Sequence, residues 1–169
     1  MRTLLLLVLA ATSAAAQGTT PVTAPLAAHL LRPGTGEVTI DVSEKAYVAI
    51  FSVPGDGRTP TLLYPGYPNP SPENPGEHLI YFQAPVGDAA SREAAASGHG
   101  PYTTTIVLIA SRTPLDLDTY GRHRTTLVRA LGGYSLASST DADTMIDRIV
   151  HLIAPKGTSV TLDTYTWLY

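Results

Sequence analysis

Five histidines are the first residues to weigh for acid–base or metal chemistry, and they are His29, His78, His99, His123 and His151. None lies in a pair with metal-ligand spacing, such as His-x-His or His-Glu-x-x-His. His99 stands between two glycines and is interpreted as a loop surface residue; its alternative role is in an extracytoplasmic hydrolase of unrecognised type, working with a nearby carboxylate. His151 follows Asp147 by four residues, so the two are predicted to pair on an exposed helix face. We therefore expect no bound metal and no cofactor.

Nucleophilic catalysis is not indicated by the remaining side chains. The chain has no cysteine, which excludes a thiolate nucleophile, disulfides and cysteine metal sites. No Gly-x-Ser-x-Gly elbow occurs. Ser111 ends an apolar run beside Arg112, where a hydrogen bond at a strand end accounts for it. The chain is therefore interpreted as a non-enzymatic protein.

Two Asp-x-Asp pairs resemble fragments of a calcium loop. They are Asp116 with Asp118, and Asp141 with Asp143. A complete loop needs five or more oxygen ligands and a glycine at its sharp turn, and neither stretch supplies them. The first pair is interpreted as a solvated loop and the second as the acidic start of a helix.

The loop 64–76 is the first candidate for a binding surface. It holds Tyr64 and Tyr67 among prolines at 65, 68, 70, 72 and 75, which favour an extended, polyproline-like backbone. A stiff aromatic loop loses little freedom on binding, so Tyr67 is the expected anchor. The alternative is that Tyr64 belongs to the core and Tyr67 covers it.

Two further surfaces are weaker candidates. Arg122, Arg124 and Arg129 form the only basic cluster, which predicts either docking to an anionic envelope polymer or acidic partner, or simply a solvated helix face. The second surface is formed by the aromatic residues of the tail, Tyr165, Trp167 and Tyr169, which share one face of the last predicted strand. They are interpreted as sheet packing, and a carbohydrate-binding platform is the alternative.

Composition limits the classes of function further. The 169 residues include 11 Lys and Arg against 14 Asp and Glu, a formal net charge of −3. A mildly acidic chain offers no basic field for nucleic acid. A hydrophobic content of 44% excludes general disorder, and 14 prolines with 14 glycines predict a turn-rich, strand-rich fold.

Residues 1–16 have the pattern of a secretion signal. Arg2 is followed by a short apolar run and by the small residues 14–16, so cleavage is expected between Ala16 and Gln17. The run is shorter than the roughly 20 residues that span a bilayer, although an uncleaved anchor is the alternative. We expect a secreted or periplasmic protein without a membrane span after cleavage.

Six segments have the pattern of β-strands. Residues 37–43 alternate between apolar and polar, which predicts one buried face, whereas 46–53 is apolar on both faces and predicts a central strand. With 61–64, these two are predicted to form an antiparallel meander because the links are short. The other three strands are expected at 78–83, 103–111 and 159–169. Residues 17–36 are interpreted as a loosely packed Pro/Ala/Thr-rich lead-in to a single domain over 37–169.

Two helices are predicted before the last strand. The better one begins near Thr140, ends before Pro155, and carries apolar residues at helical spacing. That stripe comprises Ala142, Met145, Ile146, Ile149, Val150 and Ile153. The weaker helix covers about 119–131 and ends at Gly132-Gly133.

The order of these pieces over about 38–117 resembles the bacterial family catalogued as domain of unknown function 4384. The resemblance implies a β-rich module in a bacterial envelope or secreted setting, and it implies no catalytic residues. The matching residues are Tyr47, Phe51, Asp56, Gly57, Leu62, Leu63, Tyr64, Pro65, Ala110, Ser111, Pro114 and Leu115.

The expected architecture is α+β, a mainly antiparallel β-sheet or sandwich of about six strands with one or two helices packed on it. The helix stripe is expected to meet Val48, Ile50, Ile106 and Leu108. The expected function is a non-enzymatic binding module associated with the envelope, with an envelope protein or polymer as partner. A purely structural domain is the other interpretation that the sequence allows.

Overall fold

The computed structural model describes residues 24–55, 60–66, 71–82, 103–121 and 142–168. In these residues the fold is α+β, with two antiparallel sheets packed together, as the sequence predicted. A helical segment covers residues 117–121. The strands and the long helix, in chain order, are β1 (Ala28–Pro33), β2 (Glu37–Val42), β3 (Tyr47–Pro54), β4 (Thr61–Tyr64), β5 (Gly76–Tyr81), β6 (Thr103–Ser111), α1 (Ala142–Ile153) and β7 (Val160–Leu168).

The two sheets follow different strand orders. One has three strands in the order β1-β2-β5, and the other has four in the order β4-β3-β6-β7. The predicted strand at 103–111 is confirmed at both ends, and the tail strand is confirmed as β7. The strand expected at 78–83 begins two residues earlier, at Gly76, whose positive φ of 112° turns the chain into it.

The predicted meander of the first three strands is wrong at its first link. β2 pairs with β1 and β5, whereas β3 pairs with β4 and β6 in the other sheet. Between β2 and β3, Ala46 exchanges two backbone hydrogen bonds with Glu73, at 3.0 and 2.7 Å. This bridge carries the chain from one sheet to the other, so a short link does not close a hairpin here.

The lead-in 17–36 is also different from the expectation, because its second half is a strand. β1 pairs antiparallel with β2, and Leu26 and Ala28 are buried. Pro25 lies before this strand and Pro33 ends it, at the edge of the sheet, where a missing backbone donor is tolerated. The prolines therefore flank the strand instead of preventing it.

Alternating residues of β3 and β6 enter two separate cores. Val48, Ile50, Ile106 and Leu108 face the three-stranded sheet, so the expected contact of these four with the helix is wrong. The helix packs instead on the opposite face of the same strands, which presents Ala49, Phe51, Val53, Val107 and Ile109. Both faces are apolar, so hydrophobicity alone did not indicate which face meets the helix.

Helix α1 packs its predicted stripe against the core, with Ala142 and Val150 partly buried. Met145, Ile146, Ile149 and Ile153 are buried, and the helix ends two residues before Pro155. The carbonyl of Ile153 accepts the Asp116 backbone N–H at 2.7 Å, which joins the end of the helix to the start of the helical segment 117–121. None of the helices in the described residues has an apolar stretch long enough to cross a membrane.

Several predictions fall on residues that the structure does not describe. They are the secretion signal 1–16, the loop around His99, the residues of the weaker helix from 122 onward and the start of the better helix at Thr140. The start of the weaker helix is described, because residues 117–121 are helical.

Candidate functional site

Of the residues predicted to bind, the structure describes Tyr64. The other four, Tyr67, Arg122, Arg124 and Arg129, lie outside the described residues and stay predictions. His99 and His123 lie outside them as well.

Tyr64 lies at the end of β4 with its ring partly buried against the core between the sheets. Its hydroxyl donates a hydrogen bond to the carboxylate of Glu73. Burial, and after it the hydrogen bond and negative charge of Glu73, raise the pKa of Tyr64 to about 12. The phenol is therefore neutral at physiological pH, which disfavours it as a base or nucleophile.

Glu73 and His78 complete a polar group around Tyr64. The second carboxylate oxygen of Glu73 lies 3.5 Å from Nδ1 of His78, and Nε2 of His78 donates to the Asn74 carbonyl at 2.6 Å. His78 belongs to β5 and lies opposite Ile40, on the inner face of its sheet. The group thus joins β4, β5 and the segment 71–75 between them, and its hydrogen bonds fix the end of the proline-rich loop.

Sequence reasoning missed this group. Glu73 lies in the loop and His78 in the following strand, five residues later, which is not a ligand or helix spacing. Their meeting depends on the bridge between Glu73 and Ala46 and on the pairing of β5 with β2. The alternation of β5 alone would have indicated that His78 and Ile80 share a face.

The second candidate surface is the side of the three-stranded sheet that faces away from the core between the sheets, and it is called the outer face. The register of strand pairing aligns the outward side chains in three rows across the strands. Asp41 lies opposite Glu77, and Glu37 lies opposite Tyr81. In the row between them, Thr39 lies between Arg32 and Leu79. Leu79 is 52% exposed and Tyr81 is 68% exposed. A groove of about 490 Å³ runs over this face, lined by Arg32, Glu37, Thr39, Glu77 and Leu79.

Electrostatics on the outer face are unbalanced. Within the described residues, the carboxylates of Glu37, Asp41 and Glu77 form no hydrogen bond or ion pair. Asp41 and Glu77 lie directly opposite each other on neighbouring strands, an arrangement in which like charges destabilise a sheet. The face therefore combines an excess of carboxylates over Arg32 with exposed apolar and aromatic side chains.

A second cavity, of about 320 Å³, lies at the end of α1. Its lining is formed by Val150, His151, Ala154, Pro155, Lys156, Gly157 and Thr158. Nδ1 of His151 lies 2.8 Å from the backbone carbonyl of Asp147, so the expected side-chain pair is replaced by a contact with the backbone. The side chains with polar groups in this lining are His151, Lys156 and Thr158, and the rest of the lining is apolar or backbone.

Asp116 and Asp118, interpreted from the sequence as a solvated loop, lie instead at the start of the helical segment 117–121. The Asp116 carboxylate accepts hydrogen bonds from the Thr119 backbone N–H at 2.8 Å and from the Thr119 hydroxyl at 2.5 Å, which caps the helical segment.

Ser111 and Thr113 hydrogen-bond each other at the end of β6, as the strand-end interpretation of Ser111 predicted. Across the described ranges, no three histidine, aspartate or glutamate side chains converge as a metal site would require.

The aromatic tail residues divide between core and surface. Trp167 packs against the core between the sheets, and its ring meets Tyr165 edge-on with centroids 5.2 Å apart. Tyr165 is 43% exposed, and Tyr169 lies outside the described residues.

Comparison with known proteins adds no relative. No protein-family model matches this chain, and no curated protein or solved structure matches it significantly. The resemblance to the domain of unknown function 4384 accordingly stays a prediction.

Proposed function

We propose that this chain is a non-enzymatic binding module, exported to the periplasm or the cell exterior, that recognises a partner protein with the outer face of its three-stranded sheet. The observation that carries the proposal is the composition of that face. It joins a groove, two exposed apolar side chains and three carboxylates that form no ion pair with a described residue and outnumber Arg32, the arginine of the groove.

The chemistry of the face supports a particular kind of partner. Exposed apolar side chains such as Leu79 and Tyr81 favour contact with apolar side chains of another protein. The repulsion between Asp41 and Glu77 is relieved when a lysine or arginine lies between them. We therefore propose that the partner offers an extended segment in which basic residues alternate with apolar ones.

The group around Tyr64 holds the start of β5 from the inner face of the same sheet. Tyr64 and His78 hold Glu73 at the end of the proline-rich loop, and β5 begins three residues later with Gly76. Glu77 and Leu79 of the outer face follow directly in that strand. A loop fixed at one end has less freedom to lose on binding, so the predicted role of Tyr67 stays within the proposal.

Selection from a random peptide library on the purified chain tests the proposal. We expect enrichment of peptides that carry lysine or arginine beside leucine or aromatic residues, and these peptides should lose at least about tenfold in affinity for a Glu77→Lys variant. Asp147→Lys is the matched control, because it changes charge equally on an exposed position of α1. Selected peptides that are acidic, or that lose as much affinity for the control, would contradict the proposal.

Export has its own test. Intact mass of the protein recovered outside the cytoplasm should correspond to a chain that begins at Gln17. A mass that still includes residues 1–16 in the soluble exported fraction would contradict the cleavage.

A further inference from the structure

One edge of the four-stranded sheet is a nine-residue strand that the described chain covers only in part. β7 pairs with β6 along its whole length, from Val160 opposite Ser111 to Leu168 opposite Thr103. On its other side, contacts with β1 involve the first half of the strand. The Thr161 hydroxyl donates to the Leu26 carbonyl at 2.6 Å, and the Leu30 backbone N–H donates to Asp163 Oδ2 at 2.7 Å.

The direction of the backbone groups in the second half follows from one hydrogen bond. The Thr164 N–H donates to Oδ1 of Asp163 at 3.0 Å, so it faces away from β6. Residues two apart in a strand direct their backbone groups to the same side, and therefore Thr166 and Leu168 also face the free edge. No described residue hydrogen-bonds to these outward groups of Thr166 and Leu168.

The side chains of this half-strand lack the features that normally protect an edge. Residues 164–168 read Thr-Tyr-Thr-Trp-Leu, without charge, proline or glycine. Tyr165 and Leu168 are 43% and 71% exposed. Such an edge is a template for pairing with another strand, and natural proteins usually interrupt it with charge or proline.

We propose that this edge pairs antiparallel with the same edge of a second copy of the chain, on a two-fold axis at Thr166. The sequence is self-complementary in that register. Thr166 meets Thr166 of the second copy, and Tyr165 meets Trp167, two kinds of cross-strand pair that stabilise sheets. The net negative chain carries no charge between 164 and 168, so the copies approach without repulsion at the axis. The result is one continuous eight-stranded sheet with an isologous interface.

Sedimentation equilibrium of the purified chain and of two charge variants tests this pairing. The unmodified chain should show the mass of two copies and dissociate on dilution. Thr166→Lys and Thr166→Asp each place like charges at the axis and should weaken association about a hundredfold or more. An equimolar mixture of the two variants should recover the mass of two copies, because opposite charges then meet.

Thr105→Val is the control for packing, since the Thr105 and Thr166 hydroxyls are hydrogen-bonded at 2.8 Å. This variant loses that bond without adding charge and should associate like the unmodified chain. Where the charge variants fold poorly, amide exchange of the unmodified chain gives the answer: exchange of the Thr166 N–H should slow as protein concentration rises, while that of Ile40 stays constant. A single-copy mass at all concentrations, association of either charge variant alone, or no recovery in the mixture would overturn the proposal.

Discussion

The hydroxyl of Tyr64 donates a hydrogen bond to Glu73, whose backbone also bridges to Ala46. One residue of the proline-rich loop is thereby tied to β4 and to the crossing between β2 and β3. The Tyr64–Glu73 hydrogen bond affects stability at alkaline pH, because the Tyr64 hydroxyl loses the donated proton when it ionises.

Stability should fall with rising pH through the ionisation of Tyr64. Its pKa is raised to about 12 in the folded chain from an ordinary value of 10.0, so the contribution is complete below pH 10 and lost as pH rises to 12. The loss should be about 1 kcal/mol, less than the full shift implies, because water reaches the pair and screens it. Urea unfolding at several pH values measures it in comparison with Tyr64→Phe. If the two proteins lose stability equally between pH 10 and 12, the contact has no such role.

Ile149 and His151 should differ strongly in their contribution to stability. Ile149 is fully buried in the helix-facing core, so Ile149→Ala should cost about 2–5 kcal/mol of unfolding free energy. His151 is exposed on the same helix, so His151→Ala should cost less than about 0.5 kcal/mol. Denaturant melts of both variants check the difference, and equal costs would contradict the assignment of the helix face.

Thr104 and its neighbour Thr105 should respond in opposite directions to the same substitution. In the described part of the chain, the Thr104 hydroxyl is buried without a hydrogen-bond partner, whereas that of Thr105 bonds to Thr166. Thr104→Val should therefore raise the free energy of unfolding by about 1 kcal/mol, and Thr105→Val should lower it by about 0.5–1 kcal/mol. Thermal melts of the pair decide the point, and destabilisation by Thr104→Val would show that the hydroxyl has a partner in solution.

The sequence predicted β2 and α1 correctly because each of these elements has one apolar face, which shows as alternation in β2 and as helical spacing in α1. β3 and β6 are apolar on both faces, so their sequences identify central strands but not which residues meet the helix. β1 was missed because Pro25 and Pro33 flank it closely, although its edge position tolerates them. In these cases the deciding information lies in the pairing of distant strands.

The polar group around Tyr64 could not be predicted from the sequence, because its residues meet only through the same pairing of distant strands. Tyr64 stood out as an aromatic residue beside prolines, but Glu73 and His78 did not, because neither spacing nor composition marks them. The outer face was missed for a different reason. Its alternation was visible in Glu37, Thr39 and Asp41, yet the register that places Glu77 opposite Asp41 required the structure.

Tyr67→Ala separates recognition by the loop from packing. If Tyr67 anchors a partner, the variant should bind selected peptides several-fold more weakly while its melting temperature stays almost unchanged. A fall of several degrees in melting temperature would instead show that the ring covers the core. Calorimetric binding and thermal melts of one preparation give both values.

The most direct test of the proposed recognition surface is the Glu77→Lys variant, measured for stability and for binding together. The new lysine lies opposite Asp41 and removes a like-charge pair, so the free energy of unfolding should rise by up to about 1 kcal/mol. The same variant should bind the selected basic peptides at least about tenfold more weakly than the unmodified chain does. A more stable protein with weaker binding is the predicted result, and a Glu77→Lys variant that retains the full affinity would contradict the account.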